Sequence, residues 1–280
     1  MANTIDLVTK FLPLVDEKFA YESKKELLTN KNYDWNGAHS IKVYKVSTAS
    51  MNDYDRAAAN TANWSRFGAV SGLDATTEEM TLKKDRSFTF AIDKLDNDET
   101  ASQLQAASAL ERQLREVVIP EVDSYVYSVM CANAGIKPAA VALTAENICP
   151  EIFKANTALD NAEVPETERV LVVTPDTYLL MKQSKDIFLE TDIAAEMRAK
   201  GVIAMLDGAQ VVKVPANRLP EGFGFMVAHP VATVAPSKLE DYRVHADPPG
   251  ISGSLVEGRI CYDAFVLDNK KEAIYYQATA

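Results

Sequence analysis

Hydrophobic and polar positions alternate, cluster and thin out along this chain in ways that divide it into pieces. Residues 3–30 carry Ile5, Leu7, Val8, Phe11, Leu12, Leu14, Val15 and Phe19 around Pro13, interleaved with Lys10, Asp16, Glu17 and Lys18. Such an amphipathic segment suits packing on its own domain or on a neighbour. IKVYKV (41–46) reads as a short strand carrying Ile41, Val43 and Val46. MTLKKDRSFTFAI (80–92) reads as its return, with Phe88, Phe90 and Ile92 alternating with Thr89 and Ala91 at the period of a half-buried strand. Between them lies SMNDYDRAAANTANWSRFGAVSG (50–72), mostly Ala, Asn, Asp, Ser and Gly. Structureless connections longer than about 12–15 residues are uncommon in compact domains. Strand, long polar tip, strand therefore predicts an extended two-stranded arm whose tip has little with which to build a core.

The strongest periodicity follows. Over residues 99–133, Leu104, Ala107, Leu110, Leu114, Val117/Val118, Val122, Tyr125 and Val129 fall three or four apart, which predicts one long helix. Thr100 and Gln103 have capping-box spacing at its start, and Gly135 lies just past its end. Some 35 residues at about 1.5 Å each would extend roughly 50 Å. Pro120 is expected to bend the helix, because it removes a backbone donor and its ring crowds the preceding turn.

After Pro138 the texture becomes α/β. A helix over 146–162 leads to RVLVV (169–173), a continuous apolar run of the kind found in a covered strand. Thr174 is placed to cap a following helix with Pro175 in its first turn. A further helix is expected at 192–200, ending at Gly201. VIAML and AQVVKVP flank Asp207-Gly208, the strongest short hairpin signal. GFMVAHP, DYRVHA, VEGRICYDAFVL and EAIYYQ complete a β-rich final third.

Composition narrows the possible roles. The 280 residues are long enough for one large or two coupled domains. With 29 Lys+Arg against 40 Asp+Glu, the net charge of -11 repels phosphate backbones and argues against sequence-reading nucleic-acid binding. There is no run of 18 apolar residues to span a membrane, and the first residues lack a signal-peptide core. Cys131, Cys149 and Cys261 are scattered and odd in number, which suits free, mostly buried thiols in a reducing cytoplasm.

Chemistry-bearing motifs are missing. The sequence holds no GxGxxG, GxxxxGK[ST], HExxH, paired CxxC or GxSxG. GISGS (250–254) has the wrong spacing and reads as a turn. His39, His229 and His245 are isolated from one another and from the cysteines. Asp93, Asp96 and Asp98 lack the glycine and terminal Glu of a calcium loop and read as turn and helix-start acids. No catalytic, cofactor-binding or metal-binding residues are expected, and the chain does not read as an enzyme.

The order of elements resembles the major capsid protein of tailed bacteriophages, the Hong Kong 97-type coat fold. The nearest local texture runs from ERVLVVTPDTYLLMKQS through LPEGFGFMVAHPVATVAPSKLEDYRVHADPPGISGSLVEGRICYDAFVLDNKKEAIYYQ. The resemblance implies an α+β chain with an N-terminal arm (1–36), an extended β-hairpin loop (37–95) whose tip spans about 47–81, and a spine helix with the peripheral domain (96–140). An α/β axial domain (141–238) follows, and then a peripheral return with a C-terminal strand (239–280). It further implies pentamers and hexamers in an icosahedral shell around a double-stranded DNA genome that is not read by sequence. Scaffolding and portal proteins would be partners, with assembly in the bacterial host cytoplasm and residence in the virion. Within the loop tip, Met51, Trp64, Phe67 and Val70 are the expected contacts to a neighbouring subunit, because aromatic anchors dominate interface energetics. Two other readings stay open. One is an encapsulin-type compartment with the same fold; the other is a cytosolic α/β small-molecule enzyme in which RVLVVTPDTY forms a ligand turn.

Overall fold

The computed structural model of the chain describes residues 22–33, 40–57, 65–99, 105–184 and 205–280. The apolar positions from Ile5 to Phe19, Trp64, the helix start at Thr100 and Gln103, Leu104, and the helix expected at 192–200 with Gly201 lie outside the described residues. Two compact units divide the chain: Trp35–Leu82 forms the smaller, and Met1–Asp34 with Lys83–Ala280 the larger.

In the smaller unit, β1 (Ser40–Val46) pairs antiparallel with β2 (Ala75–Thr81), Val46 opposite Ala75 and Ser40 opposite Thr81. The expected single return strand is therefore two. The ladder with β1 ends at Thr81, and after Leu82 and Lys83 the chain starts β3 (Lys84–Asp93), which pairs with a different strand. The arm also takes in residues 75–81, which the sequence reading placed in the tip. Their composition, ATTEEMT, hides the strand because only Met80 of its side chains is buried.

The larger unit continues with α1 (Lys94–Glu99), started by the Asp93 carboxylate, which accepts the Leu95 N–H at 2.8 Å. Helix α2 (Ala106–Gln113) begins only after Gln105, whose backbone is extended at φ −69° and ψ 133°. The single helix expected from residue 99 is thus interrupted, because the acidic turn at 93–99 nucleates a short helix of its own. From Ala106 the helical path is unbroken through a π-helical turn, Leu114–Val118, into α3 (Ile119–Asn133). Pro120 explains the wide turn. It has no N–H for the Glu116 carbonyl, and the Ile119 N–H instead reaches back five residues to the Leu114 carbonyl. On α3, Val122, Val126, Tyr127, Met130 and Cys131 are buried, whereas none of α2 or the π turn is. The helix stops where the backbone of Gly135 presses on Lys271, donating its N–H to the Lys271 carbonyl at 2.8 Å. A Cβ at position 135 would lie 2.6 Å from that backbone.

Helix α4 (Ile148–Asn161) buries Ile148, Cys149, Ile152, Ala155 and Leu159, and leads to β4 (Val170–Val173), whose four residues are all buried. The Thr174 hydroxyl caps α5 (Pro175–Gln183) by accepting the Thr177 N–H at 3.1 Å. Asp207 and Gly208, both at positive φ, turn β5 (Met205–Leu206) into β6 (Ala209–Lys213). Next come β7 (Phe223–Ala228), β8 (Thr233–Val234), β9 (Ser237–Ala246), β10 (Gly253–Tyr262), β11 (Phe265–Val266) and β12 (Ile274–Ala278). A five-stranded sheet, ordered β12-β7-β4-β6-β5, is mixed: β4 runs parallel to β6 and antiparallel to β7. EAIYYQ returns to this sheet as β12, beside β7. A three-stranded antiparallel sheet, β3-β10-β9, collects the return strand and the last hairpin.

One core joins α3, α4, α5 and the five-stranded sheet, with Met130, Ile152, Leu171, Met181, Phe225 and Met226 fully buried. Leu28 of the early segment belongs to it. A buried ion pair crosses the unit. Arg218 donates to Asp123 Oδ2 at 2.8 Å, the two side chains are 5% and 1% exposed, and Ser23 donates to Asp123 Oδ1 at 2.7 Å.

Candidate assembly interface

Among its described residues, the smaller unit leaves most of its apolar side chains in solvent. Its arm is held by backbone pairing and by the cross-strand ion pairs Lys42–Glu79 at 3.8 Å and Lys45–Glu78 at 3.0 Å. Beyond the strands the loop is cinched twice at Ser47 and Asp74: the Ser47 N–H bonds the Asp74 carbonyl, and the Asp74 N–H bonds the Ser47 hydroxyl, each at 2.8 Å. Farther out the Asp55 N–H donates to the Arg66 carbonyl at 3.0 Å, and the Tyr54 and Phe67 rings meet edge to face at 5.0 Å. That aromatic pair is the nearest thing to a local core, yet Phe67 is 76% exposed. Met51 is 98% and Val70 72% exposed.

The three described contact candidates, Met51, Phe67 and Val70, thus stand free on one loop. The sequence reading missed Tyr44, Val46, Tyr54 and Leu73, which are 75%, 60%, 50% and 62% exposed. The signal for two of them was present in IKVYKV, where both strand faces carry apolar residues. A two-stranded ribbon cannot cover two faces by itself.

Where the chain enters the larger unit, it is pinned. Asp263, 3% exposed, accepts the Lys83 N–H at 2.8 Å, the Tyr125 hydroxyl at 2.7 Å and the Ala264 N–H at 2.8 Å. Burial, reinforced by the Asp263 carboxylate, pushes the Tyr125 hydroxyl up to about 12. Beside it, Glu121 takes Arg86 Nε at 2.7 Å and the Tyr262 hydroxyl at 3.3 Å. Burial and then the Glu121 charge raise Tyr262 to about 12. Both tyrosines therefore stay protonated and serve as hydrogen-bond donors to the two carboxylates.

No catalytic constellation comes together among the described residues. No group of three or more His, Cys, Asp or Glu side chains is placed to hold a metal ion. His229 is taken up structurally, its Nδ1 accepting the Val231 N–H at 3.1 Å. At the turn after β4, the candidate ligand turn, the hydroxyls are engaged within the chain, Thr174 bonding Thr177, which donates to the Gly224 carbonyl at 3.0 Å, and an open pocket of about 340 Å³ lies beside them. Cys131 and Cys149 are buried thiols outside any disulfide, Cys149 donating to the Ser184 hydroxyl at 3.3 Å, and burial pushes Cys131 up to about 12. No helix among the described residues is long and apolar enough to cross a membrane.

No family model matches the sequence, and no curated protein matches it. In three dimensions the chain is similar to a protein of Mycobacterium phage Che8, with a TM-score of 0.81 at 18% identity, over 99% of this chain and 98% of that one. It is similar to the capsid structure of the cyanophage P-SCSP1u, with a TM-score of 0.77 at 15% identity, over 98% and 93% of the two chains. The asymmetric unit of the bacteriophage PhiM1 mature capsid gives 0.76 at 14% identity, over 98% and 92%. Likeness over nearly the full length of both partners, arm included, shows the fold: an α+β chain with the architecture of phage capsid subunits, as the Hong Kong 97-type resemblance implied.

Proposed function

We propose that the chain is the major capsid protein of a tailed phage, assembling through pentamers and hexamers into an icosahedral shell around double-stranded DNA. The observation that carries this reading is the end-to-end likeness to capsid structures, which extends over the arm as well as the packed unit. The exposed apolar residues of that arm support it. A surface of this kind, on a unit where Met80 alone among the described apolar side chains is buried, marks a partner-binding element. Met51, Trp64, Phe67 and Val70 are assigned as contacts to a neighbouring subunit. In this reading residues 1–36 are the N-terminal arm, 37–95 the extended loop, 96–140 the spine helix with the peripheral domain, 141–238 the axial domain and 239–280 the peripheral return. The role is structural rather than enzymatic, and the protein is a virion component built in the host cytoplasm with scaffolding and portal proteins.

Closed point-group symmetry reuses a few interfaces many times, so purified protein is expected to form rings and then particles under assembly conditions. Negative-stain images and sedimentation that show only monomers or small dimers would remove the reading. With a net charge of -11, assembled shells are expected to hold double-stranded DNA weakly. Tight, salt-sensitive retention near physiological ionic strength would instead point to a nucleic-acid-binding role.

A further inference from the structure

The π-helical turn lies beside a cavity of about 130 Å³, entirely within the larger unit. Phe88 of β3, Val117, Val118 and Val122 of the helix, and Ile260 and Tyr262 of β10 give it apolar walls. The ion pair of Arg86 and Glu121, with side chains 61% and 40% exposed, supplies its polar, solvent-facing part. Around this cavity the helix stripe is incompletely covered. Val117 is 46% and Ile119 38% exposed, although farther along the helix Val122, Val126 and Met130 are buried. Pro120 accounts for the wide turn but leaves the uncovered apolar wall unexplained, and π turns recur at functional sites.

We propose that this cavity is a socket for the Phe67 ring of a second copy of the chain. The inference rests on the shell reading above and names the surface that receives the arm. Size is the first argument: an apolar cavity of about 150 Å³ takes one benzene molecule, so a cavity of about 130 Å³ takes one phenyl ring and little more. Exposure is the second. Phe67 stands 76% in solvent, and among the described rings it meets only the edge of Tyr54. Met51 is a slender thioether chain, Val70 and Leu73 lack a ring, and a tryptophan indole is larger than the space. Chemistry is the third, since the Arg86 guanidinium lies where it can stack on an inserted aromatic face. The wall opposite is held in place by shape. Phe88 lies directly over Gly258, and a Cβ there would collide with its ring and stand 2.9 Å from Tyr242.

The test places p-azidophenylalanine at position 67 and mixes isotopically heavy and light chains before assembly and illumination. Heavy-to-light crosslinks from 67 to peptides containing residues 86–88, 113–122 or 260–262 are expected. In parallel, Phe67→Ala and the cavity-filling Val117→Trp are each expected to raise the concentration needed for assembly roughly tenfold, as loss of a buried aromatic anchor does. The double variant should be no worse than either single one. Val117 is half in solvent, so its variant is expected to fold, with the unfolding midpoint of unassembled protein as the control. Particles whose crosslinks map elsewhere, crosslinks confined within one chain, or additive effects of the two substitutions overturn the socket while leaving the shell reading intact. Failure of the unmodified chain to form particles overturns both.

Discussion

β4 and β1 are both short strands rich in β-branched residues, and they meet opposite fates. VLVV of β4 lies between β7 and β6, with exposures of 3% or less at every position. In SIKVYKV of β1 no residue is buried, and Tyr44 and Val46 are 75% and 60% exposed. Local propensity is similar, so what separates them is cover: one strand is enclosed by its own chain, and the other leaves apolar side chains in solvent. Mutations in the two regions should accordingly register in different assays, unfolding of the subunit for one and assembly for the other.

The largest effect is expected at the buried ion pair of the covered region. Asp123→Ala removes the buried carboxylate that pairs with the Arg218 guanidinium, itself 5% exposed. Breaking a buried pair by removing one partner costs about 3–5 kcal/mol, so denaturant unfolding of the unassembled subunit should show a loss of that size. A change below about 1 kcal/mol would mean that water reaches Arg218 and that this part of the core is looser than its burial indicates.

Next is Leu171→Ala in the centre of β4, where the side chain is fully buried. Cavity formation there is expected to cost about 2–5 kcal/mol. The matching change on the arm, Tyr44→Ala, should stay within about 0.5 kcal/mol for the subunit. Equal losses at the two positions would erase the distinction between enclosed and uncovered strands. A smaller effect, about 1–3 kcal/mol, is expected for Gly258→Ala, since the new methyl group must displace the Phe88 ring. Loss of the Phe88–Tyr242 stacking, read by near-ultraviolet circular dichroism, distinguishes that displacement from a general softening.

The same contrast explains what could be read in the sequence. Features set by neighbouring residues were legible: the Thr174 cap, the Asp207-Gly208 turn, the covered run before Thr174, and the alternation of Phe88, Phe90 and Ile92. Features set by distant residues were not. Nothing near Leu82 announces that the return strand divides, because the cause lies at Asp263, which takes the Lys83 N–H, and at β10, which recruits β3. Gln105 carries no mark of the break before α2, and Pro120 foretold a disturbance without specifying that a π turn would absorb it. At the candidate interface, Phe67, Met51 and Val70 stood out as sparse apolar residues in a polar tract. The apolar cavity at the π turn is assembled from β3, the helix and β10, which lie far apart in the sequence, as the nearby Asp85–Arg259 pair across 174 residues illustrates, and no local pattern could have revealed it.

The smallest effect on the subunit, and the sharpest test of the contrast, is expected at the arm tip. Trp64→Ala combined with Phe67→Ala removes the largest apolar side chains of the 50–72 tract. Phe67 is 76% exposed and touches only Tyr54 among the described rings, so its removal takes little packing from the isolated chain. Exposed positions of this kind usually change stability by less than about 0.5 kcal/mol, and the unfolding midpoint of the unassembled subunit should be nearly unchanged. Assembly should suffer far more, because each copy loses an aromatic anchor and the loss repeats at every equivalent contact of a closed shell. The measurements are therefore paired: denaturant unfolding of the dissociated protein, and light scattering with negative-stain imaging under assembly conditions. A subunit destabilised as much as its assembly would show that the tip belongs to the chain's own core, making the arm an enclosed element like β4.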